Sequence, residues 1–180
     1  MLLYFFKEIF KFLLDNERNI KLETKEYITE KLTNISTGVL RKLIEEEDVV
    51  GVIIDNLITL AEARKHICNT MVKAGLPRLL FQVMETSPNE ENVERALYLL
   101  KIISFSNLDN LTMVANQNAL IKFFDTKNKY PNNQKIIDGC DLIENEILAI
   151  IPNQEKYLDE LIKDAVKQFN ENEKVDFAKP

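Results

Sequence analysis

Residues 68–103 read CNTMVKAGLPRLLFQVMETSPNEENVERALYLLKII, and the order of breaks and apolar positions in this stretch decides the fold. A short helical piece ends at Ala74-Gly75, where glycine permits a tight reversal. Pro77 then stands where the first turn of a new helix tolerates a missing N–H. Leu76, Leu79, Leu80, Val83 and Met84 recur at helical spacing. Ser87-Pro88-Asn89 breaks that helix, with Ser87 or Asn89 as N-cap of the next. Val93, Ala96, Leu97, Leu100 and Ile103 then recur at three- and four-residue steps, which predicts a third helix buried along one face.

The same rhythm recurs on both sides. Downstream, Leu111, Met113 and Val114 begin a short helix, and Ser104 to Asn110 reads as the loop before it. Asn116-Gln117-Asn118 takes the place of Ala74-Gly75, since asparagine also enters the left-handed region, at more cost than glycine. Ala119 to Phe124 parallels the Leu76 helix, Lys127 to Gln134 reads as a longer break around Pro131, and Ile136 to Leu148 forms a long third helix. Upstream, Tyr27, Ile28 and Leu32 read as a first short helix. Val39 to Ile44 reads as a second, opened by Ser36-Thr37-Gly38, and Val49 to Leu60 as a third. The run Glu45 to Asp48 precedes that third helix, where carboxylates favour a helix N-terminus. Setting Ala96 against Gly139, Leu100 against Ile143 and Leu60 against Ile103 gives a step of about 43 residues, a period of helical repeat arrays.

Short helix, glycine, medium helix, sharp break and long helix resemble one armadillo repeat, with the Ala-Gly-Leu-Pro junction at 74–77 and Ala-Leu-Tyr-Leu-Leu at 96–100. The expectation is therefore an all-α, armadillo/HEAT-like α-solenoid of about three three-helix repeats with flanking helices. Residues 1–170 form one domain: a capping helix and connection at 1–24, a divergent repeat at 25–66, the central repeat at 67–108, a further repeat at 109–151 and a capping helix at 152–170. Residues 171–180 read as a charged tail. Leu2, Phe6, Ile9, Phe10 and Leu13 share a helical face, which either covers the open end of a stack or docks on a partner or membrane surface. Lys7, Glu8 and Lys11 interrupt this segment, which is too short and charged to span a bilayer. Tyr157, Leu158, Leu161, Ile162, Ala165, Val166 and Phe169 form the corresponding stripe at the other end.

The 180 residues are 46% hydrophobic and 29% charged, as in a globular chain, and carry a net charge of −6. That charge argues against broad nucleic-acid binding, which needs a surplus of Lys and Arg. Cys68 and Cys140 lack metal spacing and read as buried thiols of a cytoplasmic protein. His66 is the only histidine. Gly38, Gly51, Gly75 and Gly139 stand apart rather than in a phosphate loop, and the carboxylates lack metal-ligand spacing. No catalytic residue, cofactor or metal site is expected, and an enzyme is disfavoured.

The resemblance implies a right-handed superhelix whose third helices line a concave groove for a peptide. In import receptors of the family, a Trp and an Asn one helical turn apart do much of this work. Those positions fall here on Asp55, Tyr98 and Asp141 and on Thr59, Ile102 and Asn145, so only Asn145 keeps the type and only Tyr98 keeps an aromatic. The expected groove has Tyr98, Ile102 and Phe105 at its centre. Asp55, Thr59 and Glu62 lie on one side, and Asp138, Asp141 and Asn145 on the other. Apolar and aromatic groups flanked by carboxylates suit a basic amphipathic helix or a basic extended strand. The alternative is that the terminal helices partly fill the groove, or that binding uses the convex surface or the two end faces. The function expected is a protein–protein interaction scaffold in a larger cytoplasmic or cytoskeletal (including ciliary) complex. An Hsp70 nucleotide-exchange cofactor is the alternative. An import-type cargo adaptor is disfavoured by the missing Trp-Asn ladder.

Overall fold

The computed structural model describes residues 21–150 except Lys65, together with the isolated positions Glu8 and Lys163. The expected capping helices at 1–24 and 152–170 and the tail lie wholly or largely outside these residues. Among the described residues there are eight helices and no strand: α1 Leu22–Lys42, α2 Glu47–Ala63, α3 Ile67–Lys73, α4 Leu76–Thr86, α5 Glu90–Ser104, α6 Leu108–Ala115, α7 Ala119–Lys129 and α8 Gln134–Ile150. The chain is all-α.

The central helices lie where the breaks place them. Gly75 has φ +80° and lets Pro77 open α4. Asn118 makes the corresponding turn with φ +58° before α7. Asn89 is the N-cap of α5: its side chain accepts from the Glu91 N–H at 2.9 Å. Ser87 takes the neighbouring role, accepting from the Asn89 N–H and donating to Glu47 Oε2 at 2.7 Å. Glu47 and Asp48 occupy the first turn of α2.

Three boundaries differ from the sequence expectation. The two short helices expected within residues 25–44 are the single helix α1. Instead of capping a new helix, the buried Thr33 and Thr37 hydroxyls donate to the carbonyls of Thr29 and Thr33, at 2.9 and 2.8 Å. Without a proline to interrupt it, the helix runs through Gly38. The first unit is thus a helix pair rather than a triplet. The loop expected over Ser104 to Asn110 shrinks to 105–107, because Ser104 bonds back to Leu100 within α5 and Asn107 caps α6 through the Asn110 N–H. The break expected from Lys127 begins only at Tyr130, since α7 runs to Lys129.

Every helix that has a partner three places along packs against it: α1 on α4, α2 on α5, α3 on α6, α4 on α7 and α5 on α8. The apolar register follows. Val50, Val93 and Ile136 are buried, as are Ile54, Leu97 and Cys140, and Leu57, Leu100 and Ile143. In the α4–α7 pair, Leu80 and Phe123 are both buried, and Phe81 meets Phe123 with ring centroids 5.5 Å apart. One continuous core runs from α1 to α8, and it sets the long helices α2, α5 and α8 side by side.

Candidate partner-binding cleft

Where α5 and α8 meet, with α2 at one end, lies a cleft of about 450 Å³. α5 lines it with Glu94, Arg95, Leu97, Tyr98 and Lys101, and α8 with Lys135, Asp138, Gly139 and Leu142. Ile58 comes from α2. Steps of three and four residues put each set on one helical face. A Cβ at Gly139 would lie 3.6 Å from the Leu97 side chain, in ordinary contact. Tyr98 and Leu142 are exposed.

Most charges on this face already have a counterpart. Arg95 donates to Asp55 at 3.1 Å and to Glu91 at 2.6 Å. Glu94 accepts from Asn133 at 3.0 Å and from Lys135 at 3.1 Å. The Asn133 hydrogen bond holds its carboxyl below the usual range, with Lys135 and Arg95 adding to this and burial opposing it. Tyr98 donates its hydroxyl to Glu62 at 2.7 Å, and that bond and the Glu62 charge raise its pKa. Asp138 accepts from Gln134 at 2.8 Å. Among the described residues no carboxylate pairs with Lys101, whose ammonium lies 5.9 Å from the centre of the Tyr98 ring.

Of the nine expected groove residues, Tyr98 and Asp138 line the cleft, Asp55 reaches it through Arg95, and Glu62 is tied to Tyr98. Thr59 is exposed and donates back to the Asp55 carbonyl. Ile102 is half-buried against the core, and Phe105 is the exposed C-cap of α5. Asp141 is held from α7, where Lys127 donates to it at 2.8 Å and to Glu144 at 2.7 Å. Burial works against the Lys127 charge, but these two bonds outweigh it and leave its pKa raised. Asn145 is exposed. The sequence reading missed Ile58, Glu94, Arg95, Lys101, Lys135 and Leu142. The signal for Glu94, Lys101, Lys135 and Leu142 was available, since 94, 98 and 101 and then 135, 138 and 142 are successive positions on single helical faces. The carboxylates expected to greet a basic partner are largely engaged.

A second, smaller cleft of about 290 Å³ lies between α4 and α7, with Lys122 5.4 Å from the centre of the Phe81 ring. His66 is exposed at the start of α3. Among the described residues no three His, Cys, Asp or Glu side chains are grouped to hold a metal ion, and no helix is long and apolar enough to cross a membrane. Comparison with protein-family models, curated proteins and solved structures finds no match.

Proposed function

We propose that this chain is an armadillo-type α-solenoid acting as a non-enzymatic interaction scaffold. It works as a subunit of a larger cytoplasmic or cytoskeletal complex, and a partner helix or extended segment lies along the face made by α2, α5 and α8. The observation that carries this reading is the packing of each helix on the helix three along, which sets three long helices in one row with a cleft between two of them. Rigid, mutually packed helices fix side chains across such a face with little ordering cost on binding. Tyr98 and Leu142 supply exposed apolar area at the cleft, and aromatic anchors of this kind dominate interface energies.

The test is purification from the native source through a tag after Pro180, followed by mass spectrometry and sizing, with Tyr98→Ala and Leu142→Ser in parallel. A fixed set of subunits at constant stoichiometry, lost from both variants, is the expected result. Recovery as a lone monomer, or with Hsp70 alone, refutes the scaffold reading. Retention of the same subunits by both variants removes the cleft from it.

A further inference from the structure

We infer that the segment seated on the face of α2, α5 and α8 is a basic amphipathic helix, with its apolar side in the α5–α8 cleft and its cations on Glu62 and Asp138. This deepens the scaffold reading and rests on it. Hydrogen bonds engage the carboxylates of this face without cancelling their charge. Glu62 accepts from the Tyr98 hydroxyl and Asp138 from the Gln134 amide, and both donors are neutral. Both carboxylates are exposed. An ionised carboxylate offers about four acceptor sites, so each takes a Lys or Arg donor and keeps the bond it has. The ion pairs beside them leave a surplus of the same sign. Arg95 is shared by Asp55 and Glu91, and Lys127 by Asp141 and Glu144, so each group keeps a negative charge in excess. Lys135 balances Glu94. Lys101 has no carboxylate partner among the described residues, and its single charge does not offset the surplus.

The polar groups of the face select a helix over an extended strand. An extended segment brings unpaired N–H and C=O groups that the receiving surface has to satisfy. Thr59, Ile102 and Asn145 stand at matching places along α2, α5 and α8. The Thr59 hydroxyl is turned back to the Asp55 carbonyl at 3.0 Å, and Ile102 is apolar and half-buried against the core. Asn145 alone of the three presents an amide. A helix satisfies its own backbone and needs from the surface only apolar contact and charge. The exposed Tyr98 ring and Leu142 give that contact, over the buried Leu97. Carboxylates flank them, Glu62 from α2 and Asp138 one turn before Leu142 on α8. The Lys101 ammonium, 5.9 Å from the centre of the Tyr98 ring, repels a cation placed at the middle of the cleft and directs the partner's cations to its flanks. The chain's net charge of −6 adds long-range attraction for a cationic segment.

The probes are three fluorescein-labelled peptides of about 18 residues with the same leucine face. Two are cross-linked to hold a helix, one flanked by lysines and the other by glutamates. The third repeats the lysine peptide without the cross-link and with two central prolines, which forbid a helix. Anisotropy titrations use the full chain and its Glu62→Gln, Asp138→Asn, Leu142→Ser and Tyr98→Ala variants, with circular dichroism checking that each is folded. Gln and Asn keep an acceptor for the Tyr98 and Gln134 bonds and remove only charge. The expected result is binding of the helical lysine peptide, weakened about threefold by Glu62→Gln or Asp138→Asn and about tenfold by both together or by raising salt from about 50 to about 500 mM. Leu142→Ser and Tyr98→Ala weaken it as well, and the proline peptide binds at least about tenfold more weakly. Equal or tighter binding of the glutamate peptide, or a silent Glu62→Gln, Asp138→Asn double variant, overturns the basic assignment. If Leu142→Ser weakens binding in those cases, the cleft remains the binding site. Equal binding of the proline peptide overturns the helix. Failure of all three peptides to bind, or binding indifferent to Leu142 and Tyr98, overturns the cleft reading and the basic assignment together.

Discussion

Replacing Lys127 with Met tests whether α7 and α8 are held by charge. Met keeps most of the aliphatic stem and removes the ammonium. Lys127 donates to Asp141 at 2.8 Å and to Glu144 at 2.7 Å, and the three side chains are 25%, 50% and 18% exposed. A hydrogen bond to a charged group is worth about 1.5–3 kcal/mol when shielded and well under 1 kcal/mol at an open surface. The Glu144 arm lies near the low end of the first range and the Asp141 arm in the second. The expected loss at neutral pH is therefore about 2 kcal/mol, or roughly 4–8 °C in Tm for a chain of this size.

The pH dependence separates this from lost packing. Lys127 has a raised pKa in the folded protein, so its contribution is complete below its unfolded value, about 10.5, and is lost as pH rises through the folded value. At the acid end the contribution fades below about pH 4, where carboxylates ordinarily take up protons. The difference between wild type and Lys127→Met, measured by urea unfolding followed at 222 nm, should form a plateau from about pH 6 to 10 and shrink on both sides. Adding Glu144→Gln to the Met variant should restore part of the loss by removing the carboxylate left without its ammonium. A difference below about 0.5 kcal/mol at pH 7, or a loss that ignores pH, refutes the argument.

Three further outcomes follow from local geometry. Gly75→Ala and Asn118→Ala force Cβ into the left-handed region at φ +80° and +58°, and each should lower stability by about 1–2 kcal/mol in the same assay. Gly51→Ala and Gly139→Ala should differ in sign. A Cβ at 51 falls 2.7 Å from Oδ1 of buried Asn92, which is tied to Glu47, and costs about 1–3 kcal/mol. A Cβ at 139 makes only ordinary contact with Leu97 and should gain about 0.5–1 kcal/mol of helix stability. Burial, with Glu144 and Asp141 adding to it, pushes the Cys140 thiol up to about 12, so it should ignore a thiol reagent at pH 8 until urea is added.

Much of the fold was legible because its punctuation has few alternatives. A Gly-Leu-Pro sequence between two apolar periodicities has few other readings, and Asn118 follows by the same backbone chemistry. The first unit was misread because Ser, Thr and Gly are ambiguous. A threonine hydroxyl caps a helix when the chain turns and bonds the carbonyl four residues back when it does not. Tertiary packing, absent from a single sequence, decides between the two. The site was harder still. Spacing along α5 and α8 gives the faces, but it does not say which charges find each other across helices. Lys127, read as part of a break, emerges on α7 and takes Asp141 out of the groove.

The pairing across helices also explains how the row keeps its register. Ser87 donates its hydroxyl to Glu47 at the start of α2, and its carbonyl accepts from the Tyr130 hydroxyl and from Lys129 at the end of α7. Asn92 repeats the tie to Glu47 twice, at 2.9 and 2.8 Å. Apolar packing alone tolerates sliding by a helical turn, because Leu, Ile and Val present similar ridges. A buried amide and a buried tyrosine do not, since any slip leaves them desolvated without partners, at about 1–3 kcal/mol each. The hydrogen-bonded edge through Glu47, Ser87 and Tyr130 thus fixes the offset between neighbouring helices. It holds α5 and α8 at the relation on which the cleft between them depends.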